Sequence, residues 1–437
     1  MTQHLTADEA AALIHPVDHI GMPLGPGQPP AFLEALGRRT DWEDLRLAGA
    51  LLTVLTDLFT HPNVHYLSGF YGPLERILRD SGANIGFAPA DFRRFEPILA
   101  ADPPRVMTTA AAPPDADGNV SLSLHAGATV GQMRAAAADP DRLLIVEVSG
   151  QYPRTYGFGD IAHAIPLADI DVVIESDKGP VVSDDPPASD TDRAIAEHVR
   201  AFVNDGATLQ TGIGAVPSMV ASLLAEGDGG DYGIHSEMFT NGLMTLCQSG
   251  KVTNAHKGTY DGVSVTTFAA GTRALYDWLH ENRDVAFLPV EYVNSPEAIA
   301  RNRNVVTINA AMSIDIQGQV IADTIAAAQY SGIGGHEDFV AGPAIDLEDR
   351  SLLCLPSTIT LGDELKSRIV PWFDAGAVIT TPRHQVDVIV TEYGVAELSG
   401  KTVHQRGEAL AAIAHPAFRE GLREAAERAS HGRAPFA

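Results

Sequence analysis

The chain has 437 residues, enough for two or three domains with separate cores. Its 45% hydrophobic content, with 40 glycines and 6% aromatics, is that of a folded α/β enzyme rather than a disordered or fibrous chain. A net charge of −26 with no Lys/Arg cluster argues against nucleic acid and anionic membranes as partners, so an anionic ligand must rely on a few local cations and backbone amides.

The N-terminus, Met1-Thr2-Gln3-His4, has neither the basic region nor the apolar run of a secretory signal. The apolar stretch from Leu47 to Phe59 is broken by Thr and Asp and is too short to span a bilayer. A cytoplasmic protein without a membrane partner is expected. Cys247 and Cys354, in apolar surroundings and without metal-ligand spacing, read as reduced structural thiols.

Along the chain, short apolar runs alternate with amphipathic stretches. Arg142–Val148 and Asp171–Glu175 read as buried strands, followed by Val285–Val290, Val305–Asn309 and Val386–Val390. Such β-branched runs suit a sheet covered by helices on both faces, an α/β fold. Residues 181–192 are acidic, poor in apolar side chains and Pro-bearing, and mark a linker between domains at 1–185 and 190–437. Ser295-Pro296-Glu297 supplies an N-cap, an N1 proline and an acidic first turn. The stretch from His415 to Ser430 reads as an amphipathic helix rich in Ala, Glu and Arg.

An internal echo suggests duplication of one α/β unit. Gly25-Pro-Gly-Gln-Pro-Pro-Ala-Phe-Leu-Glu-Ala-Leu36 aligns without gaps on Gly212-Ile-Gly-Ala-Val-Pro-Ser-Met-Val-Ala-Ser-Leu223, and Asp117-Gly-Asn-Val120 resembles Gln317-Gly-Gln-Val320.

Two segments carry the chemistry. Gly233-Ile-His-Ser-Glu-Met-Phe-Thr-Asn-Gly242 places Glu237 in a polar, Gly-bracketed stretch without the periodicity of a helix or strand. Ser331-Gly-Ile-Gly-Gly-His-Glu-Asp-Phe339 offers Gly332, Gly334 and Gly335 as a backbone cradle. A displayed glutamate with such a cradle is what acyl transfer through an enzyme carboxylate requires; ordinary turn chemistry is the competing reading of either segment alone. Gly212-Ile213-Gly214, between an extended Thr208–Thr211 and a helix at Ser218, can present amides to an anion, but lacks a dinucleotide or P-loop fingerprint. Gln210 can donate to a thioester carbonyl or simply stand exposed. Glu291, following a strand, is the rival nucleophile, with a structural role preferred. His15 and His19, or His61 and His65, have helical spacing, but no accompanying ligands make them a metal site. No Gly-x-Ser-x-Gly elbow is present.

Taken together, Asp117–Leu122, Glu147–Thr155, Leu209–Gly214, the Glu237 segment, Ile308–Ala311, Gly332–Gly335, Val390–Ala396 and Ala414-His-Pro416 make the chain resemble the acetyl-CoA hydrolase/transferase family of class I CoA-transferases, most of all its 4-hydroxybutyrate and butyrate–acetate members. The resemblance implies two similar open α/β domains with the active site in the cleft between them, in a homodimer or homotetramer. It implies that Glu237 attacks acyl-CoA and becomes a glutamyl-CoA thioester, with Gly334 and Gly335 holding the oxyanion. Acyl-CoA and small carboxylic acids are then the partners, coenzyme A is a substrate, and no metal or other cofactor is required. Lys257 and Arg273 are candidates for the CoA phosphates. Where the family commonly has Gln or Ser after the paired glycines and an Arg beyond, this chain has His336 and Ala341. Thioester hydrolysis at the same site, or sugar-phosphate binding on a related fold, are the alternatives.

Overall fold

The computed structural model describes residues 2–346 and 348–430; the expected limits at residues 1 and 437 lie outside them. Two eight-stranded sheets dominate. The first contains β1 (Gln3–Leu5), β2 (Val17–Leu24), β3 (Asp44–Ala50), β4 (Val64–Ser68), β5 (Ile85–Phe87), β6 (Val106–Ala111), β7 (Leu143–Val148) and β8 (Val172–Glu175). The second contains β9 (Thr208–Thr211), β10 (Gly233–Phe239), β11 (Ser264–Ala269), β12 (Val285–Phe287), β13 (Val305–Ala310), β14 (Arg350–Cys354), β15 (Val388–Thr391) and β16 (Gly394–Glu397).

Read from opposite edges, the orders are β5-β4-β3-β2-β6-β7-β8-β1 in the first and β12-β11-β10-β9-β13-β14-β15-β16 in the second: seven strands coincide, while the eighth is the earliest strand of the first half and the last of the second. Seven positions are parallel in both, while the last edge is parallel in the first sheet (β1 on β8) and antiparallel in the second (β16 on β15). The echo in sequence is therefore an echo in topology. Its turns match as well. Asp115 Oδ1 accepts the N–H groups of Asp117 and Asn119 at 3.1 and 2.8 Å, and Asp315 Oδ1 accepts those of Gln317 and Gln319 at 3.0 and 2.9 Å. Gly118 and Gly318 close these turns with φ of +78° and +95°, a conformation that favours glycine.

The helices that position the site are α1 (Pro30–Gly37), α2 (Val130–Ala138), α3 (Ala215–Glu226), α4 (Val290–Val293) and α5 (His336–Ala341), with α6 (Arg419–Ser430) near the C-terminus. The turn at Gly212–Gly214 leads into α3 three residues earlier than Ser218, because Gly214, at φ +121°, can serve as the cap residue. The strand expected over Val285–Val290 stops at Phe287, where Pro289 turns the chain into α4. Ser295 caps the next short helix by accepting from Ala298 N–H. Neither His15/His19 nor His61/His65 lies on a helix; His19 and His65 are strand residues.

The segment expected to be a linker has no regular structure between β8 and Asp190, but it is fixed to the second half. Ser183 N–H donates to Gly271 O at 2.9 Å, the Tyr276 hydroxyl donates to Val181 O at 2.8 Å, and Ser218 donates to Asp185 at 2.8 Å.

Candidate active site

In each sheet the strand order reverses beside the central strand, between β2 and β6 and between β9 and β13. Ligands of open α/β sheets bind at the carboxyl ends of strands near such a reversal. In the second sheet Gln210 and Asn309 bridge it: Gln210 Nε2 donates to Asn309 Oδ1 at 3.1 Å, and Asn309 Nδ2 donates back to Gln210 Oε1 at 3.2 Å. Gln210 is therefore buried and paired, not an exposed glutamine, and both ends of its amide are already engaged.

Glu237 lies on β10, next to β9, so the segment read as irregular is a strand. Its polar residues hid this, because each is satisfied internally. Ser236 donates to Met238 O at 2.8 Å, and His235 Nε2 pairs with Val293 O at 2.8 Å. The Glu237 side chain opens into a cavity of about 910 Å³ lined by both halves and by the Val181–Pro186 segment. Among the described residues lining it there is no lysine or arginine.

Two groups converge on the carboxylate. Asn294, at the end of α4, donates from Nδ2 to Glu237 Oε2 at 2.6 Å and to Asp338 Oδ2 at 3.0 Å. The glycine loop covers the same oxygen: a Cβ on Gly335 would fall 1.8 Å from Glu237 Oε2 and 2.5 Å from Asn294 Nδ2, so any side chain there displaces this pair. Gly334, at φ +56°, has more room, with a Cβ reaching 3.7 Å from Oε1. Among the described residues the N–H groups of Gly334 and Gly335 have no acceptor. Gly332 packs on the first half instead, where a Cβ would meet Gly69 O at 2.8 Å.

The first half also holds the loop. Phe92 N–H donates to Gly334 O at 2.9 Å, and Arg93 forms an ion pair with the fully buried Asp338. Burial pushes the Glu237 carboxyl up to about 8; the Asn294 hydrogen bond works against that shift and Asp338 adds to it. Burial likewise raises Asp338 to about 7, with Asn294 and then Arg93 opposing. Desolvation lowers His336 to about 4, leaving a neutral ring that pairs through Nε2 with Thr381 Oγ1 at 2.8 Å.

Two expected ligand contacts are corrected. Lys257 is fully buried and donates to Ile234 O at 3.0 Å and Val263 O at 2.7 Å, so it is a structural hydrogen-bond donor and not a phosphate partner. The Gly212 N–H donates to Ile308 O at 3.2 Å and is not free for an anion. Arg273 stands outside the cavity lining with its guanidinium on Gln151 O at 2.9 Å, while Gly214 lies on the cavity wall with its Cβ position open. Glu291, on α4, is exposed and absent from the lining, whereas Asn294, three residues on, touches the nucleophile candidate.

Residues 271–426 match the model of the acetyl-CoA hydrolase/transferase C-terminal domain. The succinyl-CoA:cyclohexane-1-carboxylate CoA transferase of Geobacter metallireducens is 36% identical over 429 residues, covering 96% of this chain and 94% of that protein. The chain belongs to the acetyl-CoA hydrolase/transferase family of CoA-transferases. The 4-hydroxybutyrate coenzyme A transferase of Clostridium kluyveri is 41% identical over 286 residues, 65% of each chain. The crystal structure of RipA from Yersinia pestis superposes with a TM-score of 0.90 at 33% identity, covering 98% of both chains. In this family member, no helix among the described residues is long and apolar enough to cross a membrane. Sequence reasoning missed Asn294, Asp338 and Arg93. Asn294 stands three residues beyond Glu291 and Asp338 stands within the Ser331–Phe339 segment, so amide and acid side chains beside the two candidate segments were the available signal.

Proposed function

We propose that the protein transfers CoA between a short-chain acyl-CoA and a carboxylic acid, with Glu237 as the nucleophile. The contact of Gly335 with the Glu237 carboxylate carries this reading, because it puts unoccupied backbone N–H groups beside a half-buried carboxylate. A carboxylate oxygen of Glu237 attacks the thioester carbon. The C–S bond breaks, giving an acyl–glutamyl anhydride and CoA thiolate. The thiolate then attacks the glutamyl carbonyl, expels the first acid as its carboxylate, and leaves a glutamyl-CoA thioester. An acceptor carboxylate reverses both steps, so the thioester is conserved. Gly334 and Gly335 donate to the developing oxyanion, Asn294 orients the carboxylate, and the largely apolar cavity wall limits water at the anhydride.

In this reading residues 1–185 and 190–437 are the two domains of a duplicated unit. The enzyme is a cytoplasmic homodimer or homotetramer, and it needs no cofactor beyond CoA as substrate. Gln210 and the Gly212–Gly214 turn form part of the wall around the bound thioester.

The test is kinetic and chemical. Initial rates should give parallel lines for acyl-CoA and acid. Borohydride should inactivate enzyme pre-mixed with acyl-CoA, excess acceptor should protect, and the resulting alcohol should map to Glu237. Intersecting lines without borohydride sensitivity would refute the covalent route. Steady CoA release without any acceptor would assign the protein to thioester hydrolysis instead.

A further inference from the structure

His125 is 1% exposed, lines the cavity, and has no hydrogen-bond partner at either ring nitrogen. Thr129, 4% exposed, lines the same cavity, and its Oγ1 is also unpartnered. That is unusual for its position. Thr129 is the N-cap residue of α2, where a threonine hydroxyl ordinarily accepts a backbone N–H, yet it makes no such bond. Buried polar atoms are almost always paired, and two orphans on one five-residue stretch need a common explanation.

The stretch is held rigidly beside the nucleophile candidate. Ala126 N–H and Gly127 N–H donate to Thr267 O at 2.8 and 3.2 Å, and Gly127 N–H also reaches Thr267 Oγ1 at 2.9 Å. Phe268, the next residue on β11, pairs with Met238 on β10, the neighbour of Glu237. The imidazole folds over Gly127, where a Cβ would fall 2.2 Å from Cε1, so the bare glycine is what makes room for the ring. Most of the neighbouring wall is apolar, including Phe92, Phe95, Ala128 and Phe268. Burial lowers the His125 pKa to about 3, so the ring is neutral and offers one donor and one acceptor.

We infer that His125 and Thr129 form an uncharged polar subsite that receives an uncharged hydrogen-bonding group of the substrate. That group is either a hydroxyl on the acyl chain or an amide of the pantetheine arm of CoA. This rests on the proposed CoA transfer at Glu237.

The experiment compares wild type with His125→Leu and Thr129→Val, using butyryl-CoA as donor and butyrate or 4-hydroxybutyrate as acceptor. Removing one partner of a buried hydrogen bond should lower kcat/KM roughly tenfold, mainly through KM. Loss for 4-hydroxybutyrate alone identifies the acyl hydroxyl as the group held. Equal loss with both acids, through the KM for butyryl-CoA, identifies the pantetheine amide. His125→Gln and Thr129→Ser, which keep a donor and an acceptor, should recover most of the loss and guard against a folding defect. Values within twofold of wild type for both apolar variants, with every substrate, would overturn the inference. Calorimetric binding of butyryl-CoA separates this from the parent reading. If wild type shows no exchange with any acid, transfer is refuted, yet weaker butyryl-CoA binding by the two apolar variants would still support the subsite, and unchanged binding would overturn it.

Discussion

Asn294 Nδ2 lies 2.6 Å from Glu237 Oε2, and the same nitrogen donates to Asp338 Oδ2 at 3.0 Å. One amide group thus orients a nucleophile candidate and joins it to a second buried acid. Replacing Asn294 with Ala removes the hydrogen bond that lowers the Glu237 pKa. The expected result is a 10- to 1000-fold drop in kcat, of the order seen when one positioning donor is lost, with the pH profile displaced upward. An unchanged profile would show that Asn294 does not act on Glu237.

The pH dependence has a definite sign. Glu237 must be ionised to attack, and its carboxyl is raised to about 8. The kcat/KM for acyl-CoA should therefore rise with pH and level off above about 8, with the step reporting the free enzyme. A plateau already reached near pH 6 would contradict this.

Stability should run the other way. Glu237, Asp338 and Glu337 all have folded-state values raised above the ordinary carboxyl range, to about 8, 7 and 7. The folded state then binds protons more tightly than the unfolded chain. Their contribution is fully present below the ordinary carboxyl range of about 4, is lost progressively as pH rises from there through the folded values of about 7 to 8, and is gone above them. The urea midpoint should fall across that window, and Glu237→Gln should flatten the fall; a midpoint that rises would refute it.

The paired glycines separate two causes. Gly335 has φ of −90°, which any residue adopts, so Gly335→Ala acts through the Cβ forced against Glu237 Oε2 and Asn294 Nδ2. It should cost on the order of 10²–10³ in rate with the fold intact. Gly334→Ala meets no close atom but must occupy φ of +56°, which costs roughly 1 kcal/mol of stability and less activity. Circular dichroism melts beside turnover numbers would distinguish them, and equal losses in both would defeat the argument.

Arg93→Ala should weaken the fold by a few kcal/mol. That is less than the ~3–5 kcal/mol for breaking a fully buried pair, because the arginine side chain is 31% exposed while Asp338 is buried. Arg93→Lys should recover part of it, and a denaturation midpoint that does not move would remove the pair from the account.

The duplication was legible because it left short gapless matches at turns, where glycine and capping requirements are strict. The Glu237 segment was legible as a candidate site but not as a strand, since β10 satisfies Ser236 and His235 internally. Lys257 misled for a related reason: nothing in its local sequence says that the carbonyls of Ile234 and Val263 surround it. Arg93 and Asp338 are 245 residues apart, a separation that periodicity and spacing do not reach.

The repeated topology leaves the two copies with different occupations. The carboxylate, its amide and its glycine cover all come from the second copy, while Met22, Leu24, Leu67, Phe70 and Phe95 bring the first copy's apolar surface to the same cavity. In the proposed transfer, one copy is the reagent and the other the mould. The mould can be recut, residue by residue, without altering the reagent, which is how a single chemistry can be offered to acids of different shape.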